Sequence, residues 1–600
     1  MKSEIICSLS EKKGDTLISW QDLEHESYFR NFLLIQYPDY DLKDNTLEVP
    51  LGVFLSSINN FREFLSIHSD LAKGFKVLPE LLQFIQEIPS YTDSIEQRMV
   101  LNEEEVRSDL ARKGFDRELK DFQLTNLTQM LSLPSAADFS VPGAGKTTEA
   151  LAYFFLKKES DQDRLLVVSP INAFSAWEEE VPACISDFGV VRLRGNDLTN
   201  IKRLLSKKKN VFVTNYEFLR GNTAFLNLIS EELVRVDKNY MLILDESHRM
   251  KGQETAKVMS FLAPLSKKKL ILTGTPMPQS EADLIPQFNF LYPDEVIYED
   301  SVKEKFQPIF VRTTKESIDL PPLEESTVSL EMQGAQQKFY SYFLNPLLTR
   351  KYNFNKIQEI RAFKQAVMRL IQFCSNPLLQ LNYINEIDGN LAEELAEEGM
   401  GIKMNQVLDD ANKIIDQGEK VIIWSSFPNN IDLMCEKLSH HNAVVVHGGI
   451  PSGEKDTPGT REYAINQFKT EQYCKVFIAN PAAAGEGISL HKVCKTALYL
   501  DRTYNAAHYL QSKDRIHRIG SDPNTTVVTR IYQLNKTIDK HIHARLDLKT
   551  RKMSAFLNDP SILSNYFNLD ISEDDDYEKD SDEEDLESLQ NFLKESVNEN

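Results

Sequence analysis

The sequence predicts an α/β protein made of two tandem parallel-sheet lobes. Three observations lead there. Apolar, β-branched runs of four to six residues recur through the middle of the chain. They are continuous and not alternating, which marks strands covered on both faces, as in parallel sheets. At 600 residues the chain is also too long for one core.

The first set of runs is Leu165–Ser169, Val211–Thr214, Met241–Leu244 and Leu270–Thr273. The second is Val421–Ser425, Val444–His447, Val476–Ala479 and Ala497–Leu500. Helical patterns such as Thr148–Lys157 and Ile431–Leu438 lie between them. The Pro321-Pro322 stretch suggests a lobe boundary near residue 330. The expected division is therefore an N-terminal accessory region over 1–118, lobe 1 over 119–330, lobe 2 over 331–550, and an acidic, largely disordered tail over 551–600.

Residues 1–118 mix apolar and polar positions at helical spacing over Val49–Phe75, with Trp20, Tyr28 and Phe32 as a small core. Two readings stay open: an accessory docking or substrate-sensing domain, or a packing extension of lobe 1. The net charge is −22, and half of it lies in residues 571–600, where thirteen Asp or Glu face two Lys. Such a segment has too little apolar surface to fold alone. It reads as a solvated tail, a partner-docking helix (Leu586, Leu589, Phe592, Leu593 and Val597 near one face) or an acidic competitor for a nucleic-acid groove. On any of these readings the tail is expected to add no core. Since its charge is local, overall acidity does not exclude nucleic acid.

Six cysteines without a CxxC pair fit a reducing cytoplasm and argue against structural zinc. No apolar run reaches membrane-spanning length. A cytoplasmic protein, nucleoid-associated if prokaryotic, is expected.

Gly143-Ala144-Gly145-Lys146-Thr147 opens a helical run. Its glycines let backbone N–H groups turn toward phosphate, and the helix N-terminus favours negative charge. Lys146 would reach the β/γ-phosphates of ATP and Thr147 would ligate Mg²⁺. Ser140 stands where the general phosphate-loop pattern has its first glycine. Asp245-Glu246 ends the run Met241–Leu244, at the open edge where α/β sheets bind ligands. Asp245 would hold Mg²⁺ through its water shell, and Glu246 would orient and deprotonate the attacking water. Upstream, the Gln123 amide could match the adenine edge.

Residues Asn505–Ile519 read as a helix with Gln511, Arg515 and Arg518 on one face and Gly520 as its C-cap. Two arginines suit the spread charge of a transferring phosphoryl group. His517 between them reads as a packing or hydrogen-bonding residue. A nucleotide served by both lobes is a motor arrangement.

These residues resemble the Swi/Snf-type ATPases of helicase superfamily II, the double-stranded-DNA translocases. Leu272-Thr273-Gly274-Thr275-Pro276, Ser169-Pro170 with Trp177, and Thr214-Asn215-Tyr216-Glu217 are similar to lobe 1 motifs of that family. Phe290-Leu291-Tyr292-Pro293 and Val311-Arg312-Thr313-Thr314-Lys315 follow late in lobe 1. Ser375-Asn376-Pro377, Trp424-Ser425-Ser426-Phe427, His447-Gly448-Gly449, Ala484-Gly485-Glu486-Gly487-Ile488 and Thr537-Ile538 keep the family order in lobe 2. Departures are Ser140-Val141 for an acidic pair, Ser247 for Ala or Gly, Asn480-Pro481 for Ser-Thr, and Ser489 for Asn.

The resemblance covers roughly 119–550 and implies two RecA-like lobes in a compact bacterial, archaeal or viral member. It adds Gly485, Gly487 and Gln511 to the nucleotide contacts. It also implies a duplex DNA track touching Thr214, Asn215, Ser425, Ser426, His447, Gly448 and Asn480. The activity implied is ATP-dependent translocation on double-stranded DNA that remodels or displaces bound protein, with a protein partner at the N-terminal region or the tail. An RNA or single-strand helicase, and a non-hydrolysing interaction protein on the same fold, are the alternatives. The triplets Lys207–Lys209 and Lys267–Lys269 precede strands and so belong to the sheet edge away from the nucleotide.

Overall fold

The structure is a computed structural model. It describes all residues except 1–3, 11–14, 25, 235–238, 279, 319, 350–356, 452, 454–455, 485–487, 519–520, 523, 560–587, 590 and 593–600. Two compact units emerge, one of Met1–Pro276 with Glu281–Thr313, the other of Thr314–Asn600 with Met277–Ser280.

The first unit starts with a four-stranded sheet. Its strands are β1 (Glu4–Leu9), β2 (Asp15–Gln21), β3 (Thr46–Pro50) and β4 (Phe75–Val77), in the order β3-β2-β1-β4. β1–β2 and β2–β3 are antiparallel, whereas β4 joins β1 in parallel. Alternate residues of β1 and β2 are buried, against helices that supply Phe29, Phe61 and Leu71. Trp20 meets Phe29 edge to face at 5.4 Å. The region thus has its own small core, and it also packs on the rest of the unit. Helix Leu51–Ser56 lies so close to helix Gln253–Leu262 that a Cβ at Gly52 would strike the Phe261 carbonyl. Asn59 Nδ2 donates to the Asp294 carbonyl at 2.8 Å, and the Tyr91 hydroxyl to the Lys305 carbonyl at 2.9 Å.

Seven parallel strands form the main sheet of this unit: β5 (Ser135–Asp138), β6 (Arg164–Val168), β7 (Gly189–Arg192), β8 (Asn210–Thr214), β9 (Tyr240–Asp245), β10 (Lys268–Leu272) and β11 (Phe310–Val311). Their order is β11-β5-β10-β9-β6-β8-β7. Residues of β6 are buried throughout, which is why that run carries no polar alternation. Parallel connection places the C-terminal ends of β5, β10 and β9 side by side on one edge.

The second unit holds six parallel strands: β12 (Leu323–Leu330), β13 (Val421–Trp424), β14 (Val444–Val446), β15 (Val476–Ala479), β16 (Thr496–Tyr499) and β17 (Val527–Leu534). The order is β12-β17-β16-β13-β15-β14. The boundary expected near residue 330 needs correction. β12 pairs along its whole length with β17, from Leu323 opposite Val527 to Leu330 opposite Leu534, so the second unit begins at Thr314. Its polar sequence Leu-Glu-Glu-Ser-Thr-Val-Ser-Leu resembles a linker because it pairs on one side only.

The tail boundary at 551 is corrected as well. Helix Ile538–Leu557 runs past it, burying Met553, Phe556 and Leu557. Leu589 is fully buried in a core cluster with Phe339, Leu370, Phe373 and Leu546, and Phe592 packs against the same cluster. The His541 ring lies 5.3 Å from that of Phe592 and 3.1 Å from the Ser588 hydroxyl. Part of the tail therefore does contribute core. Leu586, Leu593, Val597 and most of the acidic run lie outside the described residues.

Candidate nucleotide and nucleic-acid site

The phosphate loop follows β5 directly. Gly143 and Gly145 take φ of 88° and 94°, the left-handed region open to glycine without strain. Helix Lys146–Lys157 starts with no side-chain cap, so its first amides face the loop unclaimed by a capping group. Lys146 Nζ donates to the Ser140 carbonyl at 2.8 Å and to that of Val141 at 3.4 Å, inside the loop. Ala144 is buried and Thr147 half-buried.

Gln123 departs from its expected adenine-facing role. Its Nε2 donates to the Ala144 carbonyl at 3.0 Å, and its Oε1 accepts from the Lys120 N–H at 3.1 Å. The buried amide clamps helix Asp121–Leu131 to the phosphate loop, with both polar ends engaged.

Asp245 sits at the end of β9, beside the loop. Its Oδ2 accepts from Trp177 Nε1 at 2.9 Å and from the Ser169 hydroxyl at 3.1 Å. Burial, and then the neighbouring Glu246, push its carboxyl up to about 6, opposed in part by Lys146. Glu246 adopts φ of 51°, unusual outside glycine, which turns it off the strand axis. Its Oε2 accepts from the Thr273 hydroxyl at 3.3 Å and lies 3.4 Å from His248 Nδ1. His248 is also 2.9 Å from that hydroxyl. Lys146, Thr147, Asp245 and Glu246 thus gather on one edge of one sheet.

In the second unit, the single helix expected over Asn505–Ile519 is shorter. It spans Ala506–Lys513, and the chain continues in turns, so Arg515 and Arg518 do not share a helical face with Gln511. Buried Arg515 bonds the Gln511 carbonyl at 2.9 Å and the Ile488 carbonyl at 2.7 Å, while its own carbonyl accepts from Leu490 N–H at 3.0 Å. It staples the helix end to the loop after β15. Gln511 is buried, and among the described residues neither of its amide atoms has a hydrogen-bond partner. Arg518 is half-buried, and its surroundings lower its basicity through burial. His517 Nε2 lies 2.9 Å from the Pro321 carbonyl, and burial pushes its imidazole down to about 4, which suits the packing role. Gly485, Gly487 and Gly520 lie outside the described residues.

The candidate nucleic-acid contacts all follow C-terminal strand ends, but they divide in two. Thr214 is fully buried with its hydroxyl 3.3 Å from the Leu193 carbonyl. Ser425 is fully buried too, donating to Asp501 Oδ2 at 2.7 Å. Neither hydroxyl faces outward, which corrects their reading as side-chain phosphate donors. Asn215 caps helix Tyr216–Gly221. His447 lies 3.2 Å from Asp432 and accepts from the Gly449 N–H at 3.2 Å. Gly448 is exposed, and Ser426 and Asn480 are half-buried. These three follow β14, β13 and β15, adjacent strands, and Asn480 Nδ2 donates to the Ser426 carbonyl at 2.8 Å. The lysine triplets sit at the opposite edges, Lys209 paired with Asp187, Lys267 with Glu87 and Lys268 with Glu159.

Residues 141–308 match the SNF2-related domain, and residues 405–520 match the helicase conserved C-terminal domain. Over these two stretches the chain is similar to the Swi/Snf-type ATPases. Relatives include human chromodomain-helicase-DNA-binding protein 1, 24% identical over 68% of this chain and 25% of its own length. Another is the CHD3-type chromatin-remodeling factor CHR7 of Arabidopsis thaliana, 25% identical over 65% of this chain and 33% of its own length. The chain thus spans a quarter to a third of these relatives. Among solved structures, the Sulfolobus solfataricus SWI2/SNF2 ATPase core in complex with dsDNA is 21% identical, with a TM-score of 0.32, covering 74% of this chain and 94% of that one.

The chain contains supporting residues that single-motif reading passes over. Trp177 and Ser169 hold Asp245, and Asp501 gathers Ser375, Ser425 and the Ser426 N–H. Glu149 and Asp138 are buried acids beneath the phosphate loop, and burial raises both carboxyls. Only a fold brings such partners together, because they lie tens to more than a hundred residues apart. Among the described residues no helix is long and apolar enough to cross a membrane.

Proposed function

We propose that this chain is an ATP- and Mg²⁺-dependent translocase on duplex DNA that displaces or remodels bound protein. The observation that carries it is the convergence of Lys146, Thr147, Asp245 and Glu246 on one sheet edge, next to a loop whose glycines and uncapped helix start suit phosphate.

The residues present fit a magnesium nucleotide. A half-buried Asp245 with a raised carboxyl beside a second carboxylate is relieved by a cation, and Thr147 supplies a hydroxyl nearby in sequence to Lys146. Bound magnesium would neutralise phosphate charge. Thr147 and Asp245 would hold it, Asp245 through water. Lys146 would exchange its carbonyl partners for the β/γ-phosphates. Glu246, positioned by Thr273 and His248, would orient the attacking water and take its proton. Arg518 would stabilise phosphoryl charge, whereas the carbonyl contacts of Arg515 support a positioning role.

For the track, exposed backbone at Gly448 and the polar groups of Ser426 and Asn480 support a grip on phosphates that reads no sequence. The test is a panel of ATPase rates with blunt duplex DNA, single-stranded DNA and RNA, alongside displacement of a triplex third strand. Duplex DNA should stimulate most, and the third strand should leave only with ATP. Greater stimulation by single strands, with efficient fork separation, would make the chain a strand-separating helicase instead.

A further inference from the structure

At the edge of the second sheet where β13, β15, β16 and β17 begin, opposite Ser426, Gly448 and Asn480, lies a cavity of about 520 Å³. Its lining includes Lys420, Lys469, Lys475, Lys492, Lys495 and His491, against the carboxylates Glu419 and Asp522. Five ammonium groups around one concavity stand out in a chain of net charge −22.

The cavity is built from the fold, not from loose surface side chains. Lys420 is buried, and its Nζ donates to the Phe468 carbonyl at 2.5 Å and the Glu471 carbonyl at 2.8 Å. Lys475 Nζ donates to the Gly418 carbonyl at 3.1 Å. The two carboxylates are already engaged. Glu419 pairs with Lys495 at 2.7 Å, and Asp522 accepts from Asn524 and Thr525 within its own turn. The carbonyl contacts of Lys420 and Lys475 leave their ammonium charge uncancelled, and with five lysines against two carboxylates the lining carries a positive formal charge. The His491 imidazole is pushed down to about 4, through burial first and then through Arg518, Lys492 and Lys469.

We infer that this cavity binds a compact ligand with two or three closely spaced phosphates. Its volume lies in the range of small-molecule sites. Its lysines are point charges on flexible stems, suited to polyphosphate more than to the planar, bidentate recognition of a single carboxylate.

Inorganic tripolyphosphate is the probe, measured by titration calorimetry on the full chain. The Lys146→Ala variant removes the loop lysine, so binding that persists there is read apart from the nucleotide site. One equivalent should bind Lys146→Ala, and it should weaken at least tenfold when Lys469→Glu and Lys492→Glu are added. Both lysines are exposed, and unchanged ADP affinity of the Lys469→Glu/Lys492→Glu chain on a wild-type loop shows that the fold is intact. If that pair disturbs folding, Lys469→Gln with Lys492→Gln should still weaken binding several-fold. No binding to Lys146→Ala, or binding indifferent to both lysine pairs, overturns the site. Displacement of the probe by a short duplex would assign the phosphates to a nucleic-acid backbone; no displacement would assign them to a free polyphosphate.

Discussion

Glu246 is held by Thr273 and His248 at the mouth of the phosphate loop, while Lys146 lies within the loop itself. That division predicts different losses. Glu246→Gln should bind ATP normally and lose at least ~10²-fold in turnover, the scale of general-base catalysis. Lys146→Ala should weaken binding and turnover together; a Glu246→Gln chain with near-normal kcat would remove Glu246 from the base role. Glu149 yields a stability prediction. Neither of its oxygens has a hydrogen-bond partner of normal geometry among the described residues, and burial, then Asp138, raise its carboxyl well above the usual range. The titratable groups facing the pair are Lys146 and Arg312. A raised acid keeps its proton when folded but releases it when unfolded, so its contribution to stability falls as pH climbs past about 4.3. Glu149→Gln carries no such proton. Its melting temperature relative to the parent should rise between pH 5 and pH 8, and a gap that is constant with pH would show Glu149 ionised in the fold.

Elements were legible where burial is two-sided. All eight apolar runs became strands within a residue or two, since continuous Val, Ile and Leu fit a pleat covered on both faces. β5, β7, β11, β12 and β17 escaped notice for physical reasons: Ser-Ala-Ala-Asp lacks branched residues, β7 and β11 are edge strands, β12 is polar, and Thr529, Arg530 and Gln533 interrupt the apolar run of β17. The nucleotide loop was readable because its chemistry is local in sequence. Gln123, Thr214 and Ser425 were misjudged because side-chain direction is set by partners such as Ala144, Leu193 and Asp501, which no short window contains. The same blindness applied to Leu589. Fully buried among the helices of the second unit, it should cost roughly 2–5 kcal/mol when cut to alanine, the range for buried leucines. Thermal or urea unfolding of Leu589→Ala measures this. A loss below about 0.5 kcal/mol, the level of an ordinary surface change, would detach the segment from the core.

At the scale of the whole molecule, charge and packing in the C-terminal region separate into different experiments. Eleven Asp or Glu lie between Glu573 and Glu587, just before the buried Leu589. Their charge opposes approach to any polyanion, wherever the segment goes, because it is tethered to the same chain. Opposition of this kind is screened over roughly 10 Å at 0.1 M salt and 30 Å at 0.01 M. Changing the eleven to Asn or Gln should therefore raise duplex affinity at low salt, with the gain shrinking as salt increases. The slope of log affinity against log salt should itself steepen, since cations on the protein then displace counterions without internal competition. Melting temperature should stay near that of the parent, because the substitutions leave Ser588, Leu589 and Phe592 untouched. Leu589→Ala makes the opposite case, a less stable chain with no salt-dependent change in affinity. If neutralisation leaves affinity unchanged at low salt, the acidic run does not act on nucleic acid, and its charge is to be sought in solubility or in a basic protein partner.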